Sequence, residues 1–341
     1  MRITHIEAQP IEMQLSEPYS IAYESIESAY NVFLRLETDA GITGLGCAAP
    51  DPTITGETSD MVLDGIRNSV EPLLQGADPL RIALVSEQLG LEIPEKPSTR
   101  AAVDMALHDI LGKRTGLPVW KLLGGFRERI LTSITIGILP VDESVATARA
   151  RVEEGFKCLK VKGGSNLDED TEKMLRIREE VGPEIALRFD ANQGYSVTQT
   201  LDFLRTTEKA DMELIEQPTP KDAPELLGQI TRESQIPVMA DESLVRLKDA
   251  LLLAKAGSVD MVNVKLMKVG GIREALHIDA VAAADGMEVM VGCVDDAAIG
   301  IAAGLHFALA QPNVTRADLD GQLDLIGDPT SGTVSIRAGY I

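Results

Sequence analysis

The sequence is short of positive charge, of cysteine and of long apolar runs. Its 32 Lys and Arg stand against 53 Asp and Glu, a formal net charge of −21 over 341 residues. So acidic a chain repels phosphate backbones, which excludes nucleic acid as a partner. Its field favours cations, either metal ions or positively charged small molecules; the plainer alternative is that the acidity only aids solubility. The three cysteines, Cys47, Cys158 and Cys293, have neither zinc-ligand spacing nor the pattern of a disulfide framework. No run approaches the 18 or so apolar residues of a membrane span. Met1 to His5 shows no basic stretch leading into an apolar core, so no secretion signal is read there. The expected compartment is a reducing cytoplasm, with no membrane partner. There is also no Gly-rich phosphate turn after a first strand, which argues against a doubly wound dinucleotide-binding sheet.

What is present is ample apolar content, 44%, with 25% charged residues. That is ordinary for a soluble globular chain and excludes general disorder. The length suits about two domains, or one barrel-sized domain with an addition. Residues 1–125 read as an α+β domain. Ile3 to Met13 and Asn31 to Thr38 alternate like half-buried strands, Asp39 to Gly41 turns the chain, and Ile42 to Cys47 resumes the meander. Helical patterns follow at Ser59–Leu74 and Pro79–Leu89. Thr99–Lys113 reads as an amphipathic helix ending at Gly116.

After Gly125 the pattern changes. Short apolar runs alternate with helical segments, at Leu131–Ile136, Cys158–Val161, Ala186–Phe189, Leu214–Ile215, Val238–Ala240, Met261–Val264, Met287–Val291 and Val314. Eight strands with helical connections predict an α/β fold, a (β/α)8-type barrel over residues 126–320.

Polar residues recur where these runs end. Lys162 to Asp190 is 28 residues, Asp190 to Glu216 is 26, Glu216 to Asp241 is 25 and Asp241 to Lys265 is 24. One βα unit has about this length. These residues therefore fall at one level of successive strands, at the C-terminal mouth where barrel enzymes keep their chemistry. Asp190, Glu216 and Asp241 come from neighbouring strands, and three converging carboxylates require a cation. Oxygen ligands without His or Cys favour Mg²⁺, with Mn²⁺ as the substitute. The alternative is three unrelated strand-end acids that cap helices.

Lys160 and Lys162 project from one side of their strand. Their proximity is expected to depress each other's pKa and to suit one of them to act as a base. Lys265 ends the sixth strand, across the barrel from the second. Such a pair can remove a proton from one face of a carbon and return one to the other, the metal stabilising the enolate between. Lys268 is expected in the following loop, without a role. His108 and His306, both in helical patterns, are expected to be structural.

These residues carry a resemblance. Lys160-Val161-Lys162, Asp190-Ala191-Asn192, Glu216-Gln217-Pro218, Asp241-Glu242-Ser243 and the run Lys265 to Gly271 resemble the enolase superfamily, and within it the muconate lactonizing enzyme subgroup. The run Pro118 to Gly125 is similar to the segment before that family's barrel. The resemblance spans nearly the whole chain. It implies a capping domain of residues 1–125, completed by the tail 321–341, over the barrel mouth. It implies Mg²⁺ on Asp190, Glu216 and Asp241, acid/base catalysis by Lys162 and Lys265, and Lys160 helping to hold a substrate carboxylate. It further implies a homo-oligomer. No strand-end His is present, against the superfamily's mandelate racemase and sugar-acid dehydratase branches.

Asp318-Leu319-Asp320, beyond the eighth strand, resembles the acid pair with which dipeptide epimerases hold a substrate's free α-ammonium. A dipeptide is therefore the expected substrate. The alternatives are an N-acylamino acid racemase, an o-succinylbenzoate synthase or a muconate cycloisomerase of the same fold, and, outside catalysis, an idle binding protein. The loop Pro18 to Glu24 resembles the one in which Ala-Glu epimerases carry an Arg; Glu24 takes that place here, with Tyr19 nearby. Asp51 lies in a second capping loop. The seventh strand ends Gly292-Cys293-Val294-Asp295-Asp296, where many relatives read Gly-Cys-Met-x-Glu-Ser. The substrate-binding candidates are thus Lys160, Asp318, Asp320, Glu24, Asp51, Asp295 and Tyr19. Their acidity is expected to favour cationic or neutral dipeptides over Ala-Glu.

Overall fold

The computed structural model of the chain describes residues 1–21 and 24–341; the side chains of residues 21 and 24 are also outside the described set. Two long strands, β1 (Ile3–Ile21) and β2 (Glu24–Thr38), form an antiparallel ribbon, and β3 (Thr43–Ala48) pairs on the far side of β2. β1 runs eight residues past Met13, the last residue of the alternating stretch. A register shift between Gln14 and Tyr19 lets it bend around the barrel mouth.

The helix Pro97–Thr115 lies across this sheet. Contact is close enough that a Cβ on Gly44 or Gly46 would stand 2.2 or 2.0 Å from the carbonyl oxygens of Ala106 and Ala102. Glycine is the residue that permits this approach. The expected amphipathic pattern does not hold. Ala101 to His108 are all buried, because the sheet covers one face and the barrel the other. Glu57 accepts from Ser98 N and Ser98 Oγ, both at 2.6 Å, and so satisfies the helix start. On the barrel side Asp104 accepts from Ile272 N at 2.7 Å.

The barrel has eight parallel strands in sequence order, as the alternation predicts: β4 (Ile134–Ile136), β5 (Cys158–Lys162), β6 (Ala186–Asp190), β7 (Met212–Glu216), β8 (Val238–Ala240), β9 (Met261–Lys265), β10 (Glu288–Gly292) and β11 (Val314–Asp318). The circle closes through one parallel bridge, Thr132 to Ala317. Leu214, Met239, Met261 and Met290 form a small apolar cluster of their own, and the buried Arg188 donates to Ala317 O at 2.8 Å. The tail returns to the capping ribbon, with Ser16 N donating to Asp324 O and Ile326 N to Gln14 O. Among the described residues no helix is long and apolar enough to cross a membrane.

Candidate active site

Strand register sets the site. Lys162 pairs with Asp190 across β5 and β6, and Asp190 with Glu216 across β6 and β7. Gly292 pairs with Lys265 on one side and Asp318 on the other. The sequence spacing therefore becomes one ring of side chains at the C-terminal mouth. One oxygen each from Asp190, Glu216 and Asp241 lies within 4.8 Å of the others, and all three residues are buried.

The lysines interleave with these acids. Lys162 Nζ donates to Asp190 Oδ2 at 2.7 Å, and Lys265 Nζ stands 2.8 Å from Asp241 Oδ2. Lys160, 2% exposed, has Asp190, Glu216 and Asp318 oxygens at 3.0, 2.8 and 2.9 Å. The expected mutual depression of the lysines is overturned for Lys160. Burial does oppose its charge, but the surrounding carboxylates outweigh burial and raise its pKa well above the ordinary value. Its ammonium is held by protein carboxylates at three points. Lys265 is raised in the same way, chiefly by Asp241 against burial.

The acids respond unequally. Against burial, Asp241 is held low by Lys265 and Lys268, and Asp190 by Lys162 and Lys160. Glu216 is pushed up to about 7, by burial and then by Asp190. Asn263 Nδ2 donates to Glu216 Oε1 at 2.7 Å, and Lys160 Nζ stands 2.8 Å from Oε2. Three buried carboxylates that each bring an oxygen within 4.8 Å of the others fit a hard divalent cation.

Sequence reasoning missed Lys268. It is not in a free loop. The one-turn helix Leu266–Val269 folds it back, 1% exposed, to donate to Asp241 O at 2.6 Å, to Asn263 O at 3.2 Å and to Asp241 Oδ1. Gln193 was also missed, and Asn192, part of the strand-end motif, had been given no role. Their side-chain amides donate to Glu242 Oε1 at 3.2 and 3.3 Å. His108 and His306 lie in helices outside the mouth; His108 Nδ1 is 2.8 Å from Asp104 O, and His306 Nδ1 accepts from Trp120 N.

A cavity of about 300 Å³ stands over the ring, walled by both the barrel and the capping ribbon. Lys160, Lys162, Lys265, Asp318, Asp320, Asp295, Asp51 and Tyr19 all line it. The side chain of Glu24 lies outside the described set. Asp318 accepts from Lys160 at 2.9 Å and Ser133 Oγ at 2.6 Å, and these outweigh burial to bring it down to about 2. Asp320 accepts from Thr135 N at 2.7 Å and is pushed up to about 6, by burial and then by Asp318. Asp295 takes the Tyr19 hydroxyl, 3.2 Å from each oxygen, yet burial raises it to about 7. Asp51 turns its carboxylate to Thr53 N and Ile54 N.

Residues 4–124 match the mandelate racemase / muconate lactonizing enzyme N-terminal domain, and residues 143–341 match the enolase C-terminal domain-like family. The chain is 38% identical, over all of its length and 96% of the relative, to the L-Lys-D/L-Arg epimerase of Desulforapulum autotrophicum. Two solved structures superpose on all of the chain and 96% of their own, each with a TM-score of 0.97. One is a substrate-liganded L-Ala-D/L-Glu epimerase from Bacillus subtilis, 34% identical. The other is a dipeptide epimerase from Enterococcus faecalis with Mg and L-Leu-L-Tyr, 36% identical. The chain belongs to the enolase superfamily, in its muconate lactonizing enzyme subgroup, and it is an isomerase.

Proposed function

We propose that this protein is a dipeptide epimerase. It inverts the α-carbon of the C-terminal residue by taking a proton from one face and delivering one to the other. The observation that carries this reading is the placement of Lys162 and Lys265. They come from the second and sixth barrel strands, border the same carboxylate triad and line the same cavity. One neutral amine as base and one ammonium as acid, on opposite sides of one carbon, are what a 1,1-proton transfer needs.

Asp190, Glu216 and Asp241 hold the divalent cation, Mg²⁺ by the hardness of the ligands and by the company of the Mg-bound relative. Bound there, it supplies positive charge against the negative charge that develops on the substrate carboxylate as the α-proton leaves. Lys160 offsets the acids beneath the substrate. Lys162, acting as the free amine, takes the α-proton from one face and becomes the ammonium, while the Lys265 ammonium delivers its proton to the other face; the roles exchange in reverse.

Asp320 and Asp318 are the ammonium-binding pair in this reading. Of the two, Asp320 is the open one, since Lys160 already neutralises Asp318. Among the described residues no Lys or Arg pairs with Asp320, Asp295, Asp51 or Asp324, all of which line the cavity. The cavity's Arg151 is committed to Glu17 and Glu154. This surplus supports a preference for cationic or neutral dipeptides over Ala-Glu. The three relatives act on Lys/Arg, Ala/Glu and apolar dipeptides, so their names do not choose between these.

A pooled dipeptide library incubated with enzyme and Mg²⁺ in D₂O tests the reading. Epimerised dipeptides gain one mass unit at the α-carbon. Labelling of Lys- and Arg-containing dipeptides is the expected result. Labelling of Ala-Glu first removes the preference, and labelling of N-acylamino acids alone removes the dipeptide.

A further inference from the structure

Asn31 is a polar residue within a capping strand, fully buried, and its hydrogen bonds leave the capping domain. Its Nδ2 donates to Asp295 O at 2.9 Å, and its Oδ1 accepts from Ala297 N at 2.9 Å. Cys47 Sγ, on β3, also donates to Oδ1 at 3.3 Å. The amide orientation is unambiguous: a carbonyl must face the NH₂ and an N–H must face the oxygen. Asparagine is disfavoured inside strands, so its presence here calls for a reason beyond the sheet.

The two barrel partners lie on either side of Asp296, in the tight turn after β10 that has Asp295 at its centre. Asp296 N closes it onto Val294 O at 2.7 Å. Val294 and Asp295 from this turn wall the cavity, and the Asp295 carboxylate also takes the Tyr19 hydroxyl from β1. One amide thus clips both ends of Asp295-Asp296-Ala297, while a second capping residue holds the Asp295 side chain.

Building on the dipeptide epimerase reading, we infer that Asn31 is a specificity-positioning residue. By bracketing the turn after β10, it fixes where Asp295 presents its carboxylate to the cationic side chain of the substrate. It touches neither the triad nor the lysines. It therefore acts on which dipeptide is chosen and leaves metal binding alone.

The test compares kcat/KM for L-Ala-L-Lys and L-Ala-L-Leu in the parent, Asn31→Asp and Asn31→Ala, with Mg²⁺ affinity by calorimetry. Asn31→Asp keeps an acceptor for Ala297 N–H and removes the donor to Asp295 O. The expected result is a fall of about tenfold in the Lys-to-Leu selectivity ratio, carried by KM, with Mg²⁺ affinity unchanged. In an Asp295→Asn background the same substitution leaves the ratio unmoved, an outcome general destabilisation does not produce. Equal losses on both dipeptides, or an unchanged ratio, overturn the inference and leave the epimerase reading standing. A parent that epimerises no dipeptide overturns both.

Discussion

Lys268 Nζ donates to the backbone carbonyl of Asp241 at 2.6 Å and also to that residue's Oδ1. Lys265 stands 2.8 Å from the other carboxylate oxygen. One acid is gripped by two lysines three residues apart, because a single helical turn reverses the chain between them. Removing Lys268 leaves two buried carbonyls and a carboxylate short of a donor. Lys268→Met is expected to lower the stability of the metal-free protein by about 3 kcal/mol. Urea unfolding in EDTA measures this, and a loss below about 1 kcal/mol means that Lys265 alone secures Asp241.

The two-base arrangement predicts an asymmetric defect. Lys162→Ala and Lys265→Ala are each expected to slow epimerisation by about 10²–10⁴-fold. Each keeps one base, so in D₂O each exchanges the α-proton of only one diastereomer, and the two variants choose opposite ones. Exchange of both diastereomers by either variant points to a single base.

Asp318 and Asp320 are two residues apart but differently engaged, so their amides should differ. Asp320→Asn is expected to raise KM for a dipeptide by roughly tenfold or more, with little change in kcat. Asp318→Asn also frees Lys160 from a partner and should depress kcat as well. Steady-state kinetics with an N-acylamino acid as control separates the readings: equal effects on both substrates assign the pair to structure rather than to an ammonium.

Stability should fall as pH rises from the acid side. Glu216 and Asp295 are both lifted to about 7, and Asp320 to about 6, in each case chiefly by burial. The folded chain then holds protons that the unfolded chain has released. Its stability declines between the ordinary carboxylate range and about pH 7. Melting temperatures in EDTA should drop across this window, and Mg²⁺ should shrink the drop by charge-compensating Glu216. A flat or rising profile in EDTA contradicts the burial of these acids.

The metal triad and the facing lysines were legible because a βα unit has a nearly constant length. Steps of 24 to 28 residues translate directly into the pairing of Lys162 with Asp190 and of Asp190 with Glu216. Lys268 was not legible: one turn of helix leaves no periodicity, and a lysine before Gly-Gly looks like a solvated loop. The helix Pro97–Thr115 misled for another reason. Several of its polar residues, Ser98, Thr99, Asp104 and His108, are buried and its neighbours cover both faces, so the polar pattern does not mark a solvent face. Asn31 showed only as the first residue of an alternating, half-buried strand. Its partners lie more than 260 residues away, beyond any local pattern.

The barrel's closure has a consequence for how this pocket can change. β4 and β11 meet through the Thr132–Ala317 bridge, and Ser133 Oγ and Thr135 N reach across the same join to Asp318 and Asp320. The carboxylates proposed to bind the substrate's ammonium are also the stitches of the last joint in the cylinder. A lineage that abandons ammonium recognition here must first find another way to keep that joint shut. The acids beside Asp320, such as Asp51 and Asp295, carry no such second duty and are the freer positions for drift.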